Sequence, residues 1–115
     1  MYNEPLSFEV VPGSKPDTRI FRLHGPITLA NLFDFQKVLN GGTEKFTIID
    51  FTESEYMDSA GLGALLNYYV SGKRHGRTLR LVAVNYRVAE LMKLTGAQTL
   101  IKAYDSAEAA EAATD

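Results

Sequence analysis

The chain contains no cysteine. This excludes a disulfide framework, thiolate chemistry and any cysteine-ligated metal site, and it is compatible with a reducing compartment. Histidine is nearly absent as well: His24 and His75 are the only two, so imidazole bases are scarce. No apolar run approaches the ~20 residues that a membrane span needs. Charge of one sign is also lacking. The net charge is −2 and the pI about 5.7, so no long-range basic field favours nucleic acid. The N-terminus, with Asn3 and Glu4 and no basic region, does not read as a signal peptide. The expectation is a cytoplasmic protein with no nucleic-acid partner and no direct membrane insertion.

What remains is ordinary globular material. At 115 residues, 45% hydrophobic and 23% charged, the chain is long enough for one domain with a real core and too short for two. Leu6, Phe8 and Val10 alternate with Ser7 and Glu9, which predicts a half-buried strand. The turn-rich run from Pro12 to Asp17 leads to a second strand, Arg19–Leu23, and the two should form a hairpin. Gly25-Pro26 breaks that strand. Thr28 then offers a cap for a helix with Leu29, Leu32, Phe33 and Leu39 on its apolar side, ended by Gly41-Gly42. Lys45–Phe51 is apolar on both faces for much of its length, as a central strand should be.

A long helix follows, ending near His75 with Lys73 and Arg74 in its last turn and Gly76 at its C′ position. Leu79–Val84 makes a fourth strand. Asn85 caps a helix carrying Val88, Leu91 and Met92, which stops at Gly96. Thr99–Tyr104 is a short last strand. Asp105 and Glu108 have capping-box spacing for a final alanine-rich helix, whose lack of larger apolar residues predicts loose packing or fraying. The expected fold is α/β: a single domain over 1–115, with a core of about 6–104 and a C-terminal helix at 105–115. Its mixed sheet opens with a hairpin and continues with alternating strands and helices packed on the sheet, joined by right-handed crossovers.

The most informative stretch is Asp58-Ser59-Ala60-Gly61-Leu62-Gly63. It lies between the apolar third strand and a helical pattern in which Leu62, Leu65, Leu66, Tyr69 and Val70 share one face. Ser59 is the expected N-cap of that helix, its hydroxyl accepting from an otherwise unpaired first-turn N–H. Gly61 and Gly63 each cost roughly 1 kcal/mol against alanine in a helix. That cost calls for a close neighbour, either a strand of the same chain or the surface of a partner.

Catalytic readings find no support in the residues. A Ser59 nucleophile needs a base within reach. His75 closes the opposite end of the helix, roughly 24 Å away at 1.5 Å per residue, and His24 is a lone histidine at a strand end. Gly61-Leu62-Gly63 lacks the further glycine of a dinucleotide fingerprint and the lysine of a phosphate loop. Asp50, Glu53, Glu55 and Asp58 cluster without metal-ligand spacing and read as a solvated acidic loop. No enzyme activity, cofactor or metal is expected.

The hexapeptide after a buried strand, together with the order of elements from about Phe8 to the final helix, resembles the signature of STAS domains, in particular the bacterial anti-sigma-factor antagonists. The resemblance implies that Ser59 is the residue phosphorylated by a cognate anti-sigma serine kinase and that a separate phosphatase reverses this. It implies a transcription-regulating partner switch: the unphosphorylated form binds the kinase and frees a sigma factor, and the phosphorylated form lets go. Three features depart from the family pattern. Gly25-Pro26-Ile27-Thr28 stands where the family often has Gly-Glu-Leu-Asp, Ala60 replaces a frequent second serine, and the connection from Pro12 to Asp17 is long.

Physical chemistry explains why such a site could switch. A phosphoserine carries about −1.5 to −2 charges, which a helix N-terminus tolerates, so its effect falls on the partner. The expected partner-binding surface is Asp58, Ser59, Ala60 and Gly61 at the junction, with Gly63, Ala64, Asn67 and Ser71 along the outward helix face. The plainer readings are that Ser59 is only a cap and that the small residues form an ordinary exposed helix side. Two other functions stay open: a STAS subunit of a membrane transport complex that binds an ATPase without phosphorylation, and a small-molecule or nucleotide sensor.

Overall fold

The computed structural model describes residues 5–114; Asn3, Glu4 and the last residue of the expected C-terminal helix region lie outside them. The elements are β1 (Ser7–Pro12), β2 (Thr18–His24), α1 (Phe33–Gly41), β3 (Phe46–Glu53), α2 (Ser59–Lys73), β4 (Thr78–Val82), α3 (Tyr86–Thr95), a 3-10 turn (Ala97–Thr99), β5 (Lys102–Tyr104) and α4 (Ala107–Ala112). The five strands form one sheet in the order β1-β2-β3-β4-β5. β1 pairs antiparallel with β2, and every later neighbour is parallel. This is the expected α/β hairpin-then-alternating architecture.

Strand order equal to chain order fixes the layers. Three successive crossovers step in one direction, and right-handed crossovers in one direction place their helices on one face. The main core lies between that face and α1, α2 and α3. It contains Phe21, Leu23, Phe35, Leu39, Ile49, Phe51, Leu62, Leu65, Leu81, Val88 and Met92. Phe8, Phe21 and Phe35 meet with ring centroids 5.5–5.8 Å apart, both contacts to Phe35 being edge-on, the favoured aromatic geometry.

Arg19 is buried in this core. Its Nε donates to Thr47 Oγ1 at 2.9 Å, Nη1 to the Val38 carbonyl at 3.1 Å, and Nη2 to the Leu39 carbonyl at 2.7 Å and the Tyr68 hydroxyl at 3.3 Å. One guanidinium thus joins β2, β3, α2 and the unpaired carbonyls at the end of α1, which is how a buried charge becomes tolerable.

The opposite face is covered by α4, whose Ala110 packs with Ile20, Ile48 and Val82 of the sheet. The cap of α4 is Ser106, which accepts from the Ala109 N–H at 3.1 Å, in place of the expected Asp105. Nor is α4 left loose. Ala110 is fully buried, Arg80 Nη1 donates to its carbonyl at 3.1 Å, and the Glu111 carboxylate accepts from the Ser14 and Lys15 amides and the Ser14 hydroxyl at 2.9–3.1 Å. Burial, the largest single influence on Glu111, raises its pKa; hydrogen bonds from Lys15 and Ser14 and the Lys15 charge together outweigh it and hold the carboxyl below its ordinary value.

Other boundaries also differ from expectation. β4 stops at Val82 because Ala83 turns into the left-handed region at φ 58°. The predicted last strand begins instead as the 3-10 turn, and only Lys102–Tyr104 pairs with β4. The α1 helix begins at Phe33, and Thr28 does not cap it. Asn31 closes a local turn, its Oδ1 accepting from the Thr28 N–H at 2.9 Å and its Nδ2 donating to the Pro26 carbonyl at 2.9 Å. Side-chain closure of this kind competes with helix. It leaves Leu29 63% and Phe33 68% exposed, although the sequence pattern placed both on the buried side.

Candidate functional site

The junction between β3 and α2 is built by hydrogen bonds from three segments. Ile27 and Met57 form an isolated parallel bridge, with the Ile27 N–H donating to Tyr56 O at 3.0 Å and the Asp58 N–H to Ile27 O at 3.1 Å. Ser54 Oγ donates to Gly25 O at 2.7 Å, and Asn85 Nδ2, from the cap of α3, donates to Glu55 O at 2.9 Å. The loop that presents the start of α2 is therefore anchored to the loop after β2 and to the start of α3.

Asp58 is the N-cap of α2, and Ser59 is the first helical residue. This corrects the assignment of the cap to Ser59. Both types cap well, but Asp58 has two acceptor oxygens and uses both: Oδ1 takes the Gly61 N–H at 2.9 Å, and Oδ2 takes the Leu29 N–H at 3.1 Å. A serine hydroxyl could not bridge both in this way. The Ser59 side chain is left exposed, and its hydroxyl is not needed to hold the helix. Asp58 is committed to positioning, and neither His24 nor His75, both exposed, is hydrogen-bonded to Ser59 among the described residues.

The expected partner-facing residues separate into two groups. Ser59, Gly63, Asn67 and Ser71, spaced four apart, are all exposed along α2 and form one stripe. Asp58 and Ala60 are half-buried. Gly61 and Ala64 do not belong to the surface: both are buried, because the inward stripe of α2 runs through Gly61, Leu62, Ala64, Leu65, Tyr68 and Gly72. The sequence pattern placed Leu62, Leu65, Leu66, Tyr69 and Val70 on that stripe: Leu62 and Leu65 are buried, Leu66 and Tyr69 pack half-buried against the core, and Val70 is exposed. Hydropathy does not separate Tyr68 from Tyr69; the hydrogen bonds of the Tyr68 hydroxyl to Arg19 and Thr47 decide which is inside.

The two glycines have different explanations. A Cβ on Gly61 would come within 2.9 Å of the Ile27 carbonyl oxygen, so Gly61 is required by the approach of the neighbouring loop. A Cβ on Gly63 would meet nothing within 4 Å. Leu29 and Phe33 are large apolar residues that the structure leaves exposed, contrary to the spacing. The signal for this is two large apolar residues beside a Pro-Ile-Thr break, which spacing alone does not distinguish from helix packing.

The family model described as STAS domain matches residues 10–110. The fold is similar to that of an anti-sigma factor antagonist from Mycobacterium paratuberculosis, with a TM-score of 0.80 at 16% identity over 92% of this chain and 91% of that one. It is similar to the Bacillus cell fate determinant SpoIIAA in its phosphorylated form, with a TM-score of 0.71 at 16% identity over 91% of this chain and 97% of that one. A sulfate transporter family protein from Wolinella succinogenes also shares it, with a TM-score of 0.68 at 24% identity over 84% and 81% of the two chains. At these identities the structural likenesses establish the fold. With a family model matching residues 10–110, most of its length, the chain belongs to the STAS domain family.

Proposed function

We propose that this protein is an anti-sigma-factor antagonist, a non-enzymatic cytoplasmic partner switch controlled at Ser59. In the unphosphorylated state it binds an anti-sigma kinase through the start and outward stripe of α2. Phosphorylation of Ser59 ends that binding, and a phosphatase restores it. The observation that carries this reading is the division of labour at the junction. Asp58 caps the helix, so the exposed Ser59 hydroxyl is free to be modified without loss of the fold. A phosphoryl group there would place two negative groups side by side at the rim of the partner surface, against a surface shaped for a neutral hydroxyl. Leu29, tied to Asp58 by its N–H, and the nearby Phe33 supply exposed apolar anchors beside the phosphoacceptor, as the centre of a protein interface requires.

The test uses the cognate kinase and ATP. Wild type is expected to gain one phosphate and Ser59→Ala none, since Ala60 offers no substitute hydroxyl. Ser59→Ala should keep its affinity for the kinase and, because Asp58 is the cap, its stability to within about 0.5 kcal/mol. Ser59→Asp should bind at least about tenfold more weakly, a loss of about 1.4 kcal/mol. Equal binding by Ser59→Asp and wild type, with phosphate elsewhere or nowhere, would favour the second reading, a STAS subunit of a membrane transport complex. That reading draws support from the fold shared with the Wolinella protein.

A further inference from the structure

At the end of α2 away from Ser59 lies a cleft of about 310 Å³, between the C-terminal turn of that helix, the first residues of β4 and the segment leading into β5. Its lining is cationic: Lys73, Arg77 and Lys102 border it, and no carboxylate does. None of these three forms an ion pair among the described residues. In a chain whose net charge is −2, three cations around one concavity without a counter-charge concentrate positive potential where the chain as a whole is acidic. Arg80 also borders the cleft, but its guanidinium is engaged on the other face of the sheet, with the Ala110 carbonyl and the Phe46 ring. Lys73 is held toward the cleft across the Tyr69 ring, with Nζ 5.6 Å from the ring centroid and 3.4 Å from the hydroxyl.

The backbone adds a second feature. The Thr78 N–H donates to Lys45 O at 2.7 Å, on the β3 side. Successive residues of a strand direct their amides to opposite edges, so the N–H of Leu79 points to the β5 side. Pairing with β5 begins only at Arg80 with Lys102. The Leu79 amide therefore faces the cleft at the open end of the strand edge, although Leu79 itself is only 4% exposed. A buried N–H aimed into a cationic concavity calls for an acceptor.

We propose that this cleft binds a small phosphorylated anion, a phosphate or diphosphate group held by Lys73, Arg77 and Lys102 and accepting from the Leu79 N–H. Its volume lies at the lower limit for small-molecule sites, which fits a compact metabolite and not a peptide or a nucleic-acid strand. The site is separate from the Ser59 surface, about one helix length away at 1.5 Å per residue, and does not depend on the switch reading.

The test titrates the full chain with inorganic pyrophosphate, with ADP and with sulfate, following backbone amides by NMR and heat by calorimetry. Pyrophosphate should bind saturably, and the Leu79 amide should move among the largest shifts. The affinity should fall at least about tenfold in Lys73→Gln/Lys102→Gln, and added salt should weaken it further. Both lysines are exposed, so the double variant should keep its thermal stability. The wild-type Leu79 shift also tests the site without any variant. Tighter binding of ADP with further shifts at Tyr69 and Leu100 would identify a nucleotide as the source of the phosphate. Equal binding of ADP and pyrophosphate would identify the phosphate group alone. No saturable shift at Leu79, or sulfate binding as tightly as pyrophosphate, would overturn the proposal.

Discussion

The two faces of the sheet are closed in different ways. On one, α1, α2 and α3 bury a continuous apolar layer whose side chains are mostly Leu, Ile and Phe. On the other, the six-residue α4 packs its Ala110 against a buried cluster of only Ile20, Ile48 and Val82 among the described residues. Each face also contains a buried arginine, and these two side chains illustrate the contrast. Arg19 satisfies two side-chain and two carbonyl acceptors inside a thick core. Arg80 reaches the Ala110 carbonyl of α4 and lies over the Phe46 ring, beneath a much thinner layer. Apolar burial at about 25 cal/mol per Å² closes the first face. The second is thin in apolar area and is held by the polar contacts of Arg80 and Glu111. The thick face should therefore determine global stability, and the thin one should respond locally.

The largest effect is expected on the thick face. Leu65 is fully buried at the centre of α2, and Leu65→Asp places an unpaired carboxylate there. A loss of more than about 4 kcal/mol is expected, read as an unfolded circular dichroism spectrum or a denaturation midpoint near zero. A stable Leu65→Asp would mean that the buried stripe of α2 is misassigned. Next is Arg19→Ala, which strips partners from Thr47, Tyr68, Val38 and Leu39 together. About 3 kcal/mol should be lost in urea denaturation, and Arg80→Ala should lose less. Equal losses for the two arginines would erase the contrast between the faces.

On the thin face, Ala110→Asp should undock α4 instead of unfolding the sheet. The expected loss is about 1–2 kcal/mol, with faster hydrogen exchange confined to α4 and the loop at Ser14 and Lys15. Loss of protection in β3 at the same time would show that the two faces fold as one unit. The smallest effect concerns Glu111. Its folded pKa is lowered, so its contribution is present above the unfolded pKa and is lost as pH falls through the folded one. Stability of the wild type should drop relative to Glu111→Gln across that acid range, and the two curves should run parallel at neutral pH and above. Because the carboxylate lies at the surface, the increment is small. Identical curves would mean that its hydrogen bonds to Ser14 and Lys15 contribute nothing.

The same contrast separates what the sequence revealed from what it did not. Features that depend on local spacing were legible. The element order was correct, as were Asn85 capping α3 with its Oδ1 on the Val88 N–H and the end of α3 at the left-handed Gly96; Gly76 is left-handed too, but with Arg74 as the C-cap of α2 it lies one residue past the expected C′ position. Features set by long-range partners were not. Asp58 outranks Ser59 as the cap because its second oxygen reaches Leu29, a residue distant in sequence. Tyr68 is fully buried, where Tyr69 is only half-buried, with its hydroxyl bonded to Arg19 and Thr47. The docking of α4 depends on Arg80 and on the loop at Ser14, neither adjacent in sequence. At the candidate site, the position of Ser59 at the start of α2 was legible. The exposure of Leu29 and Phe33 was not, since it follows from the side-chain turn at Asn31.

Identity of strand order and chain order has a consequence for synthesis. Each strand, on leaving the ribosome, finds its sheet neighbour already made, so growth proceeds along one edge without threading or rearrangement. Contacts between successive strands are close in sequence, which favours rapid pairing. The helices of the thick face are laid down with the strands they cover, whereas the cover of the thin face comes after all five strands. Until Ser106 to Ala112 has emerged, Ile20, Ile48 and Val82 have no helix over them. A nascent chain paused before that point, or one truncated there, would present an apolar sheet face of the kind that drives aggregation of folding intermediates.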